Sequence, residues 1–367
     1  MTRKILLIPK GFLGDILLMS PVLSALKRNS SAISISVLCS PATAEVVRRD
    51  PLVDGVLVFD RRVSHRGWRG LRDFAETIRE EGFDAAYSFQ MSLRTAILLW
   101  MTGIKRRVSF QGSLSRFFYT NRVPHLACYH DVLRNLTLVR EELDSATRTD
   151  VEELAKDIGL DVPWSGLRIP EIDEEELSDT VKQILAGKRP RVVLSPGSAW
   201  ETKRWDAQGF RGVAQALRMK GLDVVIVGAP ADAEVCAEVV QGLDVSNLCG
   251  KTSLNELTAL IRGAVCLVCN DSLALHIGSA VQTPTVAIFC ATSPRFGFGP
   301  WRNRAVVLEK SDLFCKPCRR HGSRECPSGT RACMTGVSSS EVMCAVERFL
   351  GESGRGSSSG GLRVVKH

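Results

Sequence analysis

The sequence has no uninterrupted apolar run near the roughly 18 residues that a membrane-crossing helix needs, and charged residues break every apolar stretch. That excludes a conventional membrane span. Aromatic residues are few, at 6% of 367 positions. With no RRM signature and no KH-like context, that scarcity removes the usual stacking platforms, and nucleic acid is not an expected partner. The dinucleotide fingerprint G-x-G-x-x-G is missing, and so is a P-loop. The first 26 residues (MTRKILLIPKGFLGDILLMSPVLSAL) carry an apolar run, but Lys10 and Asp15 interrupt it and no small-residue cleavage site follows. They read as a strand, a turn and a helix of the folded protein, which places the chain in the cytoplasm.

What is present is an ordinary globular balance. Apolar residues make up 44% and charged residues 24%, with a mean hydropathy of +0.03. The length suggests roughly two domains at about 150 residues each. The net charge of +8 points to an anionic partner: a nucleotide, a phosphorylated sugar, a lipid headgroup or RNA. Eight of the twelve cysteines are scattered in apolar or mixed contexts and read as free thiols of a reducing compartment.

Short β-rich runs alternate with helical periods along the chain. Strands are expected at Lys4–Ile8, Ile33–Leu38, Gly55–Phe59 and Ala85–Phe89, then at Arg191–Ser195, Asp223–Val227, Val265–Cys269 and Thr285–Phe289. Helical spacing fills the intervals, at Asp15–Lys27, Ala42–Arg49, Gly70–Glu81, Gln208–Lys220, Ala231–Gly242, Leu254–Gly263 and Ser272–Val281. This pattern means βαβ units and parallel sheets. Pro21 lies inside the first helix and predicts either a kink or a fresh start capped by Ser20. The expected organisation is a Rossmann-like domain over 1–165, a linker over 166–190, a second Rossmann-like domain over 191–350 and a disordered Gly/Ser-rich tail over 351–367. In such α/β sheets ligands bind beyond the carboxyl ends of the strands.

Four turns carry polar groups at those ends. Gly11-Phe-Leu-Gly14-Asp15 follows the first strand. Its glycines allow a tight turn, and Asp15 fits either an N-cap or a general base. Ser195-Pro-Gly-Ser198 leads to Lys203, and hydroxyls followed by a cation suit a diphosphate, although Lys203 also reads as a solvated loop residue. Asp232 follows Gly228-Ala-Pro230 and suits a ribose hydroxyl or a helix cap. Asn270-Asp271-Ser272 precedes a helix whose amino end, with His276 one turn in, suits an anion. Taken singly, His276 reads as a packed core residue.

On these residues the chain resembles family 9 glycosyltransferases, the heptosyltransferases of lipopolysaccharide core assembly. The resemblance runs in order over about 4–350, through ILLIPKGFLGDILLMSPVLSALK, DPLVDGVLVFDRR, LSPGSAWETKRW, VGAPADAE and CNDSLALHIGSA. CKPCRRHGSRECPSGTRACM is similar to the segment of the heptosyltransferase II branch. The resemblance implies an α/β GT-B fold, with two Rossmann-like domains facing across a cleft, acceptor domain first. It implies inverting transfer of L-glycero-D-manno-heptose from ADP-heptose to the Kdo/heptose inner core. Asp15 falls on the family's base. Ser198 and Lys203 fall on diphosphate contacts, Asp232 near the ribose, and Thr252 on a backbone contact to adenine. Asp271, Ser272 and His276 fall on the motif that meets the donor's heptose and diphosphate. Leu273 departs from the family's usual glycine.

No cofactor is required on this reading, and no metal enters catalysis. Cys315-x2-Cys318 with Cys326 and Cys333 is compatible with a structural zinc site, with disulfides or with reduced thiols. Arg61, Arg62, Arg66, Arg69 and Arg72 form one basic group. Lys105, Arg106, Arg107, Arg116 and Arg122 form a second. Each alone reads as solvated surface; together they suit a phosphorylated Kdo-bearing lipid at the cytosolic face of the inner membrane. Gly14, Arg61, Arg62 and Arg122 are the expected acceptor contacts, and a monomer is expected. Two rival classes are a UDP-sugar enzyme of the same architecture and a nucleotide-sensing module without transferase activity.

Overall fold

Apolar runs buried on both faces make parallel strands, and the chain uses this device twice. A computed structural model describes residues 2–29, 32–112 and 114–353. The chain divides into two compact units, Met1–Pro170 and Glu171–His367. In the first, strands β1 (Arg3–Ile8), β2 (Ile33–Cys39), β3 (Gly55–Val58), β4 (Ala85–Ser88), β5 (Arg106–Phe110) and β6 (Asn121–Val123) pair in the order β3-β2-β1-β4-β5-β6. Every pairing is parallel. The chain leaves β1 toward β2 on one side and later returns to β4 on the other. The switch point therefore lies between β1 and β4, above Gly11–Asp15.

The helix after β1 runs unbroken over Leu13–Asn29 through Pro21. Proline has no N–H for the carbonyl four residues back. Here the Ser20 hydroxyl donates to that carbonyl, Leu17 O, at 2.6 Å. The Ser20 Oγ in turn accepts Arg168 N at 2.7 Å. The fresh start at Ser20 does not occur, because the helix continues and the side chain before Pro21 supplies the missing donor. Near the start of this helix Lys10 Nζ reaches both oxygens of buried Asp131 at 2.7 Å, and buried Arg134 reaches Asp131 Oδ1 at 2.9 Å.

In the second unit β7 (Arg191–Ser195), β8 (Asp223–Ile226), β9 (Ser246–Asn247), β10 (Cys266–Asn270), β11 (Thr285–Phe289) and β12 (Ala305–Glu309) pair in the order β12-β11-β10-β7-β8-β9. All pairings are again parallel, and the switch point lies between β7 and β10. Phe210, Val213 and Leu217, from the helix Ala207–Met219, pack with Val342 and Val346 of the last helix against Val192, Leu194, Val268 and Ile288.

All eight expected strands are present, with ends shifted by a residue at most. β5, β6, β9 and β12 have no expected counterpart. β5 opens on two arginines, and β6 and β9 span three and two residues, too few to show a period. The stretch 166–190 is not a bare linker: the units divide after Pro170, and the helix Asp179–Ala186 starts on a Ser178 cap. Ser178 N donates to Glu256 Oε1 at 3.0 Å, and Glu256 also accepts Ser253 N at 2.8 Å in a capping box. That ties this helix to the second unit. The last helix continues to Ser353, so 351–353 are helical, and the rest of the expected tail lies outside the described residues. No helix among them is long and apolar enough to cross a membrane.

Candidate functional site

The second switch point gathers most of the expected donor residues. Lys203 Nζ lies 2.7 Å from Asp271 Oδ2, with both side chains largely buried. Thr292 Oγ1 donates to the same oxygen at 2.8 Å, and Ser198 Oγ donates to the Asp271 carbonyl at 3.1 Å. Asn270 locks the two turns together. Its amide donates to Pro196 O at 2.7 Å, and its oxygen accepts Trp205 N at 3.0 Å. These groups sit just beyond β7, β10 and β11, three neighbouring strands.

Ser272 caps the helix Leu273–Ala280, yet its hydroxyl makes no cap bond. Its Oγ is buried without a hydrogen-bond partner. A buried polar atom so left costs about 1–3 kcal/mol, and it stands at a helix amino end that attracts anions. Ser272 directly follows Asp271, the partner of Lys203, so a partnerless hydroxyl, a cation and a helix amino end stand at one strand end. His276 is buried one turn into this helix, and Leu273 is its first residue, half-buried.

Asp232 is held inward rather than presented. Arg204 Nη2 donates to its Oδ1 at 3.2 Å, and Ala229 N donates to its Oδ2 at 2.9 Å. A Cβ at Gly197 would overlap this carboxylate, so only glycine lets the β7 turn close over it. Asp232 stands at the N-cap of the helix Ala233–Val240 but makes no side-chain cap bond to it; its carboxylate turns back to Ala229 N across the single turn Pro230–Asp232. Arg204, which also donates to Ser198 O at 3.0 Å, bridges Asp232 to the turn after β7. Thr252 is half-buried just before the Ser253 cap.

Asn270 stood within a quoted turn, but its bridging role was not legible. Arg204 and Thr292 were missed outright. Thr292 follows the same rule as the others, a hydroxyl three residues beyond a strand end. The cysteine segment was not expected to meet this site, yet it braces the Lys203 turn. Thr202 N donates to Ser323 O at 3.1 Å and Ser323 N to Thr202 Oγ1 at 2.8 Å; Cys318 N donates to Ala291 O at 3.0 Å. All twelve cysteines are free thiols. Cys318 shares a thiol hydrogen bond with Cys315 and feels Cys326. Hydrogen bonds from Ser328 and backbone amides bring the Cys326 thiol down to about 7. Among the described residues, no group of three or more His, Cys, Asp or Glu is placed to hold a metal ion.

At the first switch point Asp15 lies in the first turn of its helix. Its Oδ2 accepts Phe12 N at 3.3 Å, and its own N donates to Phe12 O at 3.0 Å. Asp15 is therefore not the N-cap residue: it is third in the helix Leu13–Asn29 and its carboxylate reaches back to the amide before the first turn, half-buried at the strand ends. Gly14 is inside the helix. A Cβ at Gly11 would meet nothing within 4 Å, and Gly11 does not have a positive φ, so the turn does not demand that glycine.

The two basic groups separate. Arg61 and Arg62 follow β3 at the carboxyl edge and are exposed. Lys105, Arg106 and Arg107 precede or open β5 and so stand at the opposite edge. Arg106 engages Glu141 and Glu142, and Arg107 donates to Phe118 O at 2.9 Å. The second group is therefore not one binding surface, although Arg116 and Arg122 in it are exposed.

Two parallel α/β sheets in one chain, the second with a cation and a helix amino end at its switch point, fit the class of GT-B glycosyltransferases. Residues 71–328 match the model of glycosyltransferase family 9 (heptosyltransferase), and the chain belongs to that family. Escherichia coli lipopolysaccharide heptosyltransferase 3 is 26% identical, over 95% of this chain and 99% of its own length. Lipopolysaccharide heptosyltransferase 2 of E. coli K12 is 26% identical over 83% and 87%. The crystal structure of a family 9 glycosyltransferase from Veillonella parvula superposes with a TM-score of 0.77 at 25% identity, over 96% and 98%.

Proposed function

We propose that this glycosyltransferase moves L-glycero-D-manno-heptose from ADP-heptose to the inner core of lipopolysaccharide, adding the second heptose at the cytosolic face of the inner membrane. The observation that carries the donor reading is the partnerless, buried Ser272 hydroxyl at a helix amino end beside the Lys203–Asp271 pair. The names of the curated relatives support heptose and lipopolysaccharide. The cysteine-bearing segment supports heptosyltransferase II over the other branches.

Asp15 takes the proton from the attacking acceptor hydroxyl as the anomeric carbon inverts. Lys203, the Ser272 hydroxyl and the helix-end amides hold the diphosphate that leaves, and so lower the barrier electrostatically. Lys203 is paired with Asp271 and largely buried, so the ammonium is already aimed and desolvated.

Lys203→Met should weaken ADP-heptose binding by about 10–100-fold by calorimetry, because it leaves the Asp271 carboxylate buried against an incoming anion. Lys203→Met combined with Asp271→Asn should recover part of that loss. Strictly additive losses would remove Lys203 and Asp271 as a unit. The deciding assay offers ADP-heptose with Kdo₂-lipid A, with and without its first heptose, and reads products by mass spectrometry. Product only from the heptosylated acceptor is expected. Product from the bare Kdo acceptor would assign the first transfer instead, and no product with either would remove this donor–acceptor pair.

A further inference from the structure

The connection after β3 and the start of the next helix leave large apolar side chains in solvent, spaced between arginines. Val63 is 75% exposed and Trp68 is 69% exposed. The stretch 61–72 holds five arginines and no carboxylate, and all five are exposed.

This exposure is built into the fold. Asp60 Oδ1 accepts Arg62 N at 2.9 Å and Val63 N at 3.2 Å. Asp60 N donates to His65 Nδ1 at 3.0 Å, and the His65 ring stacks on Phe59 with centroids 5.4 Å apart. The loop is thus pinned to the core with Val63 outward. Trp68 belongs to the helix Gly67–Glu80, whose Leu71, Phe74, Ala75 and Ile78 are buried. It stands one heptad before Ala75, so the apolar stripe continues to the first turn, where Trp68 is left exposed among the described residues. Arg94 Nη2 donates to His65 O at 2.8 Å. That bond brings the following helix, with exposed Met91 and Leu93 at its entry, beside the same loop. All these residues follow β3 or β4, and so share the carboxyl edge on which Asp15 lies.

We infer that this edge docks on an anionic lipid bilayer, with Trp68 and Val63 inserted at the boundary between headgroups and acyl chains and Arg66 and Arg69 on the headgroups. Apolar tips ringed by arginine fit an interface that is negative outside and apolar beneath. A nucleotide or a soluble sugar phosphate would use the arginines and leave the tryptophan idle. The inference deepens the proposed function, on whose lipid-borne acceptor it rests, by naming the surface that meets the membrane.

The test is co-sedimentation of the full chain with vesicles that contain no acceptor. Partition into phosphatidylcholine with about 30% phosphatidylglycerol should exceed partition into phosphatidylcholine alone by about tenfold or more. Raising salt to about 0.5 M should remove most of it. Val63→Ser with Trp68→Ser should lower it by about tenfold or more, with melting temperature and ADP-heptose affinity unchanged. Should that variant fold poorly, Arg66→Glu with Arg69→Glu gives the same reading from exposed positions. Equal partition into both vesicles, no partition, or a variant that partitions like the parent would overturn the inference. So would a dimer in light scattering that the double variant abolishes, since a second copy would then own the patch. Heptose transfer to a delipidated acceptor is scored separately. Its absence with vesicle binding intact counts against the proposed function alone, and its presence without vesicle binding counts against this surface alone.

Discussion

Asp15→Asn should keep ADP-heptose affinity and lose about 10²–10⁴ in turnover, the usual share of a positioned general base. The substitution separates the two roles of this side chain. The bond at Phe12 N needs only an acceptor oxygen at 3.3 Å, and the asparagine carbonyl supplies one. Proton abstraction needs a carboxylate, and asparagine has none. A side-chain bond at a helix end is worth about 1 kcal/mol, so a purely structural Asp15 would show as a small loss of thermal stability with turnover within a few-fold of the parent. Single-turnover kinetics at saturating donor, read beside a melting curve, decides between them.

Asp131→Asn should destabilise the first unit by about 3 kcal/mol at neutral pH, as expected for removing one partner of a buried ion cluster. Lys10 and Arg134 share this carboxylate. Burial pushes its pKa up, but the two cations outweigh burial and bring it down to about 2. A carboxylate lowered in the folded state stabilises fully above its ordinary value near 3.9. That stabilisation is lost as pH falls toward about 2. The gap between parent and variant in urea melts should therefore be full at pH 7 and shrink steadily below about pH 4. A gap that is flat with pH would show that Asp131 contributes only shape. Lys10 immediately precedes Gly11, so the variant should also loosen the turn that leads to Asp15.

Much of the architecture was legible because parallel strands buried on both faces are continuous apolar runs. RVVLS and TVAIF matched their strands residue for residue. β9 was illegible because two residues carry no period. The linker was misread because Pro163, Pro170 and the acidic run looked like a break, while the Ser178 cap that starts a helix there draws its order from Glu256, 78 residues away. Ser198, Asp271 and Ser272 were legible because each follows a strand by three residues or fewer, and Lys203 because it closes the turn that Ser198 opens. Asp232 was legible only as a choice between ribose contact and cap, and its pairing with Arg204 was not legible at all.

The sequence alone determined that this is a twice-repeated α/β chain of the family 9 type, because strand periodicity and the order of turn motifs are local properties. Tertiary structure decided which polar groups face each other. The Lys203–Asp271–Thr292 cluster, the Asp131 triad and the separation of the arginines onto opposite sheet edges all join residues far apart in the chain. Such pairings depend on strand order, and strand order is set by how the helices cover the sheet, which no short stretch of residues encodes.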